Sequence, residues 1–382
     1  MPIDVAPIRA TEFPVSSKSV YFNHAGISPL PASAAEAGIR AFQRSRDEGV
    51  LPIQQWEALL QETRGRFAGI VGASPEEIAF VKNTSEGLSF VAAGFPWRDG
   101  DNLVTTNMEF PSNIYPWMRL QARNVEVRMV SAREGKILKE DLFKACDGKT
   151  RLIALSSVEF MNGFRNDLSS IGEYCQKNGI FFCVDGIQSL GVLPMDVKSF
   201  GIDAISADGH KWLMSPEGIG GLYISRDVMD MIEPVILGWH SVKNRLDFDN
   251  YDFRMSPDAK RYEPGCVNTA ILDAFNASME LLISTGIDRI WERVRGLTEQ
   301  IFEKARESEY EILSSEKPED RSGIVTFRVP GVDNIALWKA LQNRKVRCSS
   351  RGGGIRLSPH FYNTPEEVDA VFGILREEKD KL

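Results

Sequence analysis

Phe182-Cys183-Val184-Asp185-Gly186-Ile187-Gln188 and, shortly after it, Ala204-Ile205-Ser206-Ala207-Asp208-Gly209-His210-Lys211-Trp212 decide how this chain folds. The apolar run from Ile180 to Val184 reads as a buried strand that stops at an acid, and Ala204 to Ser206 reads as a second short strand. Upstream, Arg151 to Ser157 reads as a longer strand. It is followed by a helix with Leu168, Ile171 and Tyr174 on one face, which Asn178-Gly179 terminates. Strand, helix, strand at this spacing is a βαβ unit and predicts a parallel sheet. Open α/β sheets place ligands beyond the carboxyl ends of their strands, so Asp185 and Lys211 can face one pocket. A lysine there can attack a carbonyl, and a buried acid can hold a cationic ring nitrogen. Spacing alone leaves the plainer alternative open, an acid that caps a turn and a lysine that is a solvated charge.

The composition bounds the rest. At 382 residues the chain is long enough for two domains, and 43% apolar with 26% charged residues is the balance of a soluble globular protein. A net charge of −8 argues against a nucleic-acid or anionic-membrane partner. No apolar run approaches the ~20 residues of a membrane span, and Met1-Pro2-Ile3-Asp4 lacks a signal pattern. The five cysteines (146, 175, 183, 266 and 348) form no CxxC pair, which predicts reduced thiols, no metal centre and a cytoplasmic protein. Neither GxxxxGK[ST] nor GxGxxG after the first strand is present, so a non-catalytic nucleotide-binding module is only a remote alternative.

Taken in order, residues 1–19 read as an irregular arm, and Ile53 to Val71 as a helix stopped by Gly72. Ser74-Pro75-Glu76-Glu77 is a capping box, Ile78 to Val81 a strand, and Asn83-Thr84-Ser85-Glu86-Gly87 a helix start able to bind an anion. Strands follow from Asn102 to Thr105, Val125 to Val130 and Gly218 to Ser225. From about residue 270 long amphipathic helices lead into a small α+β part. It ends in a helix behind a second capping box at Thr364-Pro365-Glu366-Glu367.

The stretch Asp185 to Gly221, with Gly209-His210-Lys211-Trp212 and Pro216-Glu217-Gly218-Ile219-Gly220-Gly221, resembles the class V aminotransferase family of pyridoxal 5'-phosphate (PLP) enzymes. That family includes cysteine desulfurases, kynureninase and isopenicillin N epimerase. The resemblance implies an α/β protein of PLP-dependent transferase fold type I. Its large domain (20–270) would carry a mainly parallel seven-stranded sheet, and a small α+β C-terminal domain would span 271–382. It makes Lys211 the amine that bonds PLP, Asp185 the acid beneath the ring nitrogen and His210 an orienting neighbour. Thr84 and Ser85 would hold the phosphate, Phe110 would stack on the ring, and Asn162 and Gln188 would tune the phenolic oxygen. Asn23, His24 and Ala25 would line the substrate side, and Arg356, in Arg356-Leu357-Ser358-Pro359-His360-Phe361-Tyr362-Asn363-Thr364, would grip the substrate carboxylate.

Several positions depart from the family pattern. Asp208 stands where desulfurases bind phosphate with serine, and must turn away from the dianion or be protonated. In Arg261-Tyr262-Glu263-Pro264-Gly265-Cys266-Val267-Asn268-Thr269, Cys266 replaces a threonine that reaches the partner subunit's cofactor. A backbone N–H, or Asn268 and Thr269, would then take its place, within a homodimer whose sites lie at the subunit interface. The loop Cys348 to Gly354 is short, with Gly352 aligned to the desulfurase cysteine, while Arg351 is free to bind an acidic side chain or to face solvent. The expected activity is therefore amino transfer on a small amino acid. A C–S or C–Se β-lyase or desulfurase is the alternative, and a silent PLP-binding module a remote one.

Overall fold

In a computed structural model that describes residues 3–382, seven strands form one sheet. Their order is Ile78–Val81, Gly220–Ile224, Ala204–Asp208, Phe181–Asp185, Thr150–Ser156, Asn102–Thr106 and Glu126–Val130. Only Gly220–Ile224 runs against its neighbours. Phe181–Asp185, Ala204–Asp208 and Gly220–Ile224 are buried along their whole length, as strands covered on both faces must be. That explains why they read as continuous apolar runs rather than alternating ones. The parallel pairing sets Ser156 beside Asp185 and Asp185 beside Ser206, so neighbouring strands end level with one another.

The Ile53–Val71 helix buries Trp56, Leu60, Phe67 and Val71 and stops at Gly72, whose φ of 72° an L side chain rarely adopts. Its Arg64, 1% exposed, pairs with Glu263 at 2.7 Å. Burial works to raise the Glu263 carboxyl, but Arg64, His240 and the Phe80 N–H outweigh it and hold it down to about 2. This ion pair ties the 261–269 segment to the sheet. The Thr84–Gly94 helix lies so close to Ala204–Asp208 that a Cβ on Gly87 would meet Ser206 Oγ at 2.2 Å. The helix start is thereby held against the strand that leads to Lys211.

A second, antiparallel sheet has the order Ser349–Arg351, Gly354–Leu357, Val325–Arg328, Glu311–Ile312, and packs on the Asn334–Asn343 and Pro365–Lys379 helices. The expected boundary at 270/271 does not coincide with the packing. Leu272, Phe275 and Met279 of the Thr269–Thr285 helix belong to the large core, and the change of core falls inside Ile287–Glu307, between Val294 and Leu297. The N-terminal segment also differs from the irregular arm expected of it. Val5–Glu12 is a helix, secured by Arg9 to the Tyr362 carbonyl (3.0 Å) and to Glu367 (2.7 Å), with Glu12 accepting from Ser33 N (2.9 Å). These anchors come from distant parts of the chain, which local pattern cannot supply. Among the described residues no single helix is long and apolar enough to cross a membrane.

Candidate active site

A cleft of about 660 Å³ opens where the carboxyl ends of the large sheet face the small one. Asp185 and Asp208 reach it from strand ends, Thr84 and Ser85 from a helix start, and Lys211 from the turn after Asp208. A strap brings the opposite wall. Val20–Tyr21 pairs with Val346–Arg347, and Asn23 bridges to Ser358, which carries Asn23 and Ala25 to the cleft. The last wall is the hairpin bearing Ser349, Arg351 and Arg356. A cavity of similar size, about 670 Å³ around Phe164, Arg165 and Met195, contains neither Lys211 nor Asp185, and the strand-end chemistry lies in the smaller one.

Asp185 is 2% exposed, and its Oδ1 accepts from Ile187 N at 2.9 Å. Burial pushes its carboxyl up to about 6 against the opposing pull of the Ile187 N–H and Lys211. Behind it Glu109 accepts from Ser156 N (2.6 Å) and Asn113 Nδ2 (2.9 Å), and burial pushes that carboxyl up to about 8. Burial thus disfavours the charged form of Glu109 more than that of Asp185. Burial brings Lys211 down from 10.5 to about 8; Asp185 opposes the shift, while Arg356 and Arg351 add to it. Its Nζ lies 5.6 Å from the centre of the Phe110 ring. A lysine free to lose its proton near neutrality is a competent amine nucleophile and base.

Asn83 caps the helix by accepting from Glu86 N (2.9 Å), which leaves the first amides of the helix facing the cleft without intrahelical partners. Ser85 Oγ donates to Ser112 Oγ at 2.8 Å, and Thr84 Oγ1 accepts from Asp208 N at 3.0 Å. Asp208 Oδ1 and His210 Nδ1 stand 3.0 Å apart but are not aligned as a hydrogen bond. Gln188 is largely engaged, donating to Ala25 O (3.1 Å) and accepting from Trp212 Nε1 (2.9 Å). Arg356, 1% exposed, donates through Nη1 to Phe160 O at 2.5 Å, and its Nε has no partner. Arg356 therefore presents a buried, unsatisfied polar atom at this cleft, as a group kept for a ligand would, while the unsatisfied atoms of Asp208 and His210 face each other.

Some expected contacts are absent. His24 is fully buried, with Nδ1 on Ser358 O (2.8 Å) and Nε2 on Tyr362 Oη (2.9 Å), so it is a core group rather than a cleft contact. Burial sends its imidazole well below 6.5. Asn162 also misses the cleft: its amide donates to Gly135 O (2.7 Å) and accepts from Phe164 N (3.1 Å). Phe160, which sequence reasoning passed over, takes that wall and stands edge-on to Phe110 at 5.2 Å. Cys266, Asn268 and Thr269 do not reach the cleft of their own chain. Cys266 is exposed, Asn268 caps the Thr269–Thr285 helix, and Asn268 and Thr269 border a separate pocket beside Phe42. Ser112 and Ser349 are further cleft residues without a sequence signal.

An amine that loses its proton readily, an acid in the same cleft, a neighbouring aromatic face and a helix start suit an aldehyde-bearing aromatic phosphate. The fold and this cleft define a PLP-dependent enzyme of fold type I. The chain belongs to the class-V aminotransferase family, whose model matches residues 20–371, and PLP is its cofactor. It is 30% identical over 388 residues to a probable cysteine desulfurase of Methanothermobacter thermautotrophicus, covering 96% of each chain. It is also 28% identical over 340 residues to an uncharacterised aminotransferase of Bacillus subtilis, covering 88% of this chain and 89% of that one. Among solved structures, a cysteine desulfurase of Thermococcus onnurineus superposes with a TM-score of 0.91 at 27% identity, covering 100% of this chain and 99% of the other.

Proposed function

We propose that the protein transfers the amino group of a small amino acid, with Lys211 as the residue that binds the cofactor and moves the α-proton. The observation that carries this reading is the hairpin opposite Lys211. Ser349–Arg351 and Gly354–Leu357 are joined only by Gly352 and Gly353, with φ of 58° and 77°. No thiol stands at that turn. The nearest cysteine in sequence, Cys348, is 4% exposed and its thiol is pushed up to about 12 by burial. A persulfide relay needs an accessible thiolate, and this hairpin supplies none.

Bound PLP supplies a ring that withdraws electrons from the substrate's α-carbon. In our reading Asp185 keeps the ring nitrogen protonated, and Phe110 with Phe160 walls one side against water. Thr84, Ser85 and the helix amides bind the phosphate, while His210 holds Asp208 turned from it. Gln188 orients the ring through its remaining N–H, and Asn23 and Ala25 border the substrate. Arg356 binds the α-carboxylate and so fixes the Cα–H bond toward Lys211 Nζ, which takes the proton and holds it for return. A second reading, C–S bond cleavage of cysteine, is favoured by the relatives named cysteine desulfurase.

Purified protein with PLP, screened with amino acids and keto-acid acceptors, distinguishes the two. Acceptor-dependent keto-acid formation that survives Cys348→Ala is the expected result. Sulfide with pyruvate and ammonia from cysteine, or alanine with sulfide when a thiol reductant is supplied, in either case without a keto-acid acceptor, would replace amino transfer by the second reading. Loss of the alanine in Cys348→Ala would restore a persulfide relay.

We also propose a homodimer in which Cys266, Asn268 and Thr269 reach the partner's cofactor phosphate. The segment around Gly238 and Trp239, which packs on Pro264 and Gly265, exposes Ile236, Leu237, Phe248, Tyr251 and Phe253, an apolar area that a second copy would cover. Sedimentation should give about twice the 42.7 kDa chain mass. A fully active monomer would end this reading.

A further inference from the structure

Arg351 and Arg356 face the same cleft from adjacent strands of one hairpin, and the structure gives neither an acidic partner. Arg356 has one hydrogen bond, to Phe160 O, and an unsatisfied Nε although it is 1% exposed. Arg351 donates only to the carbonyl of its neighbour Ser350, at 2.9 Å. The charge of Arg351 disfavours that of buried Arg356, and both arginines disfavour the charge of Lys211. The acids of the cleft do not relieve them: Asp185 is held by Ile187 N, and Asp208 faces His210. Like charges held together beside a buried site are stabilised only when an anion arrives. The backbone at Arg351 is held by the hairpin: it is the last paired residue before a two-residue turn in which both glycines have positive φ, which keeps its exposed side chain at the rim of the cleft.

One carboxylate satisfies one guanidinium fork. We infer that the substrate carries a second anionic group on its side chain, as acidic amino acids do, and that Arg351 receives it while Arg356 holds the α-carboxylate. This rests on the reading of Arg356 given above. Arg351 is then the residue that sets specificity. A neutral side chain of the same size leaves Arg351 without a counter-ion, so discrimination comes from charge rather than from shape.

The test uses the PLP-loaded enzyme in two arms. In the first, kcat/KM is compared for aspartate against asparagine and glutamate against glutamine. The acidic member should be preferred about 10- to 100-fold, the range of a charge-assisted contact. Arg351→Gln should bring the ratio close to one, and Arg351→Lys should restore part of it. In the second, calorimetry compares succinate with propionate, which needs no turnover. Succinate should bind more tightly, and Arg351→Gln should erase the difference. Equal binding of the two acids, or an acidic preference that survives Arg351→Gln, overturns the inference. Loss of PLP affinity in Arg351→Gln would assign Arg351 to the cofactor phosphate and overturn it as well. If succinate binds preferentially but no amino acid reacts, amino transfer fails while the two-anion site stands.

Discussion

Lys211→Ala should abolish the visible absorbance of covalently held PLP and lower turnover by at least about 10²–10⁴-fold, the range of a lost proton-transfer group. Lys211 is the only lysine among the residues that line the cleft, so no second amine stands ready to replace it. Its side chain carries no hydrogen bond among the described residues that its loss would break, and the cofactor-free variant should melt no lower than the cofactor-free wild type. The same residue sets a pH dependence. The neutral amine attacks an aldehyde, and its fraction grows with pH. Capture of PLP by the cofactor-free protein should therefore climb through about pH 8 and level off above it, rather than through the ordinary 10.5. Burial is the main cause of that shift, and the arginines Arg356 and Arg351 add to it. A capture rate still rising at pH 10, or a covalent cofactor in Lys211→Ala, would remove Lys211 from the role proposed for it.

The central strands were legible in sequence because burial on both faces writes itself as unbroken apolar runs. The helix limits were legible where a chemical stop exists, as at Gly72, Gly179 and the capping boxes at Ser74 and Thr364. What escaped was the direction of side chains in irregular segments. Asn23 bridges to Ser358 and opens a turn closed by Gly26 N donating to Asn23 O (2.8 Å), and through that turn the side chains alternate: Asn23 and Ala25 reach the cleft, and His24 between them enters the core. Treating the three as one motif hid that alternation. After Thr150–Ser156 the chain closes a turn in which Glu159 N donates to Phe164 O (2.8 Å) and Gly163 N to Glu159 O (2.9 Å). The turn points Phe160 into the cleft and draws Asn162 toward Gly135 and Leu313. No periodicity exists in such a turn, so choosing the polar residue over the aromatic one had no physical support. The N-terminal helix escaped for a different reason, since Tyr362, Glu367 and Ser33 that hold it are scattered along the chain.

Asp185→Asn should separate activity from stability in opposite directions. Asparagine matches the shape of the carboxylate and can still accept from Ile187 N, now at 2.9 Å, so the strand end should keep its form. What it removes is the negative charge that, in our reading, keeps the cofactor's ring nitrogen protonated. Loss of one preorganised electrostatic partner typically costs about 10²–10³ in kcat, and that is the fall expected here, with PLP still bound. Stability should move the other way. The folded-state carboxyl lies at about 6, above its ordinary 3.8, so folding favours the protonated form. Its stabilising contribution is complete below pH 3.8 and is lost as pH rises through about 6. At neutral pH the ionised, buried group therefore costs the fold on the order of 3 kcal/mol, for a shift of this size. Asparagine carries no charge to bury, and denaturant unfolding of the cofactor-free variant at pH 7 should show a gain toward that value. The gain should vanish near pH 4, where wild-type Asp185 is itself neutral. A variant that is both less stable and nearly as active as the wild type would mean that Asp185 serves the strand end rather than the cofactor.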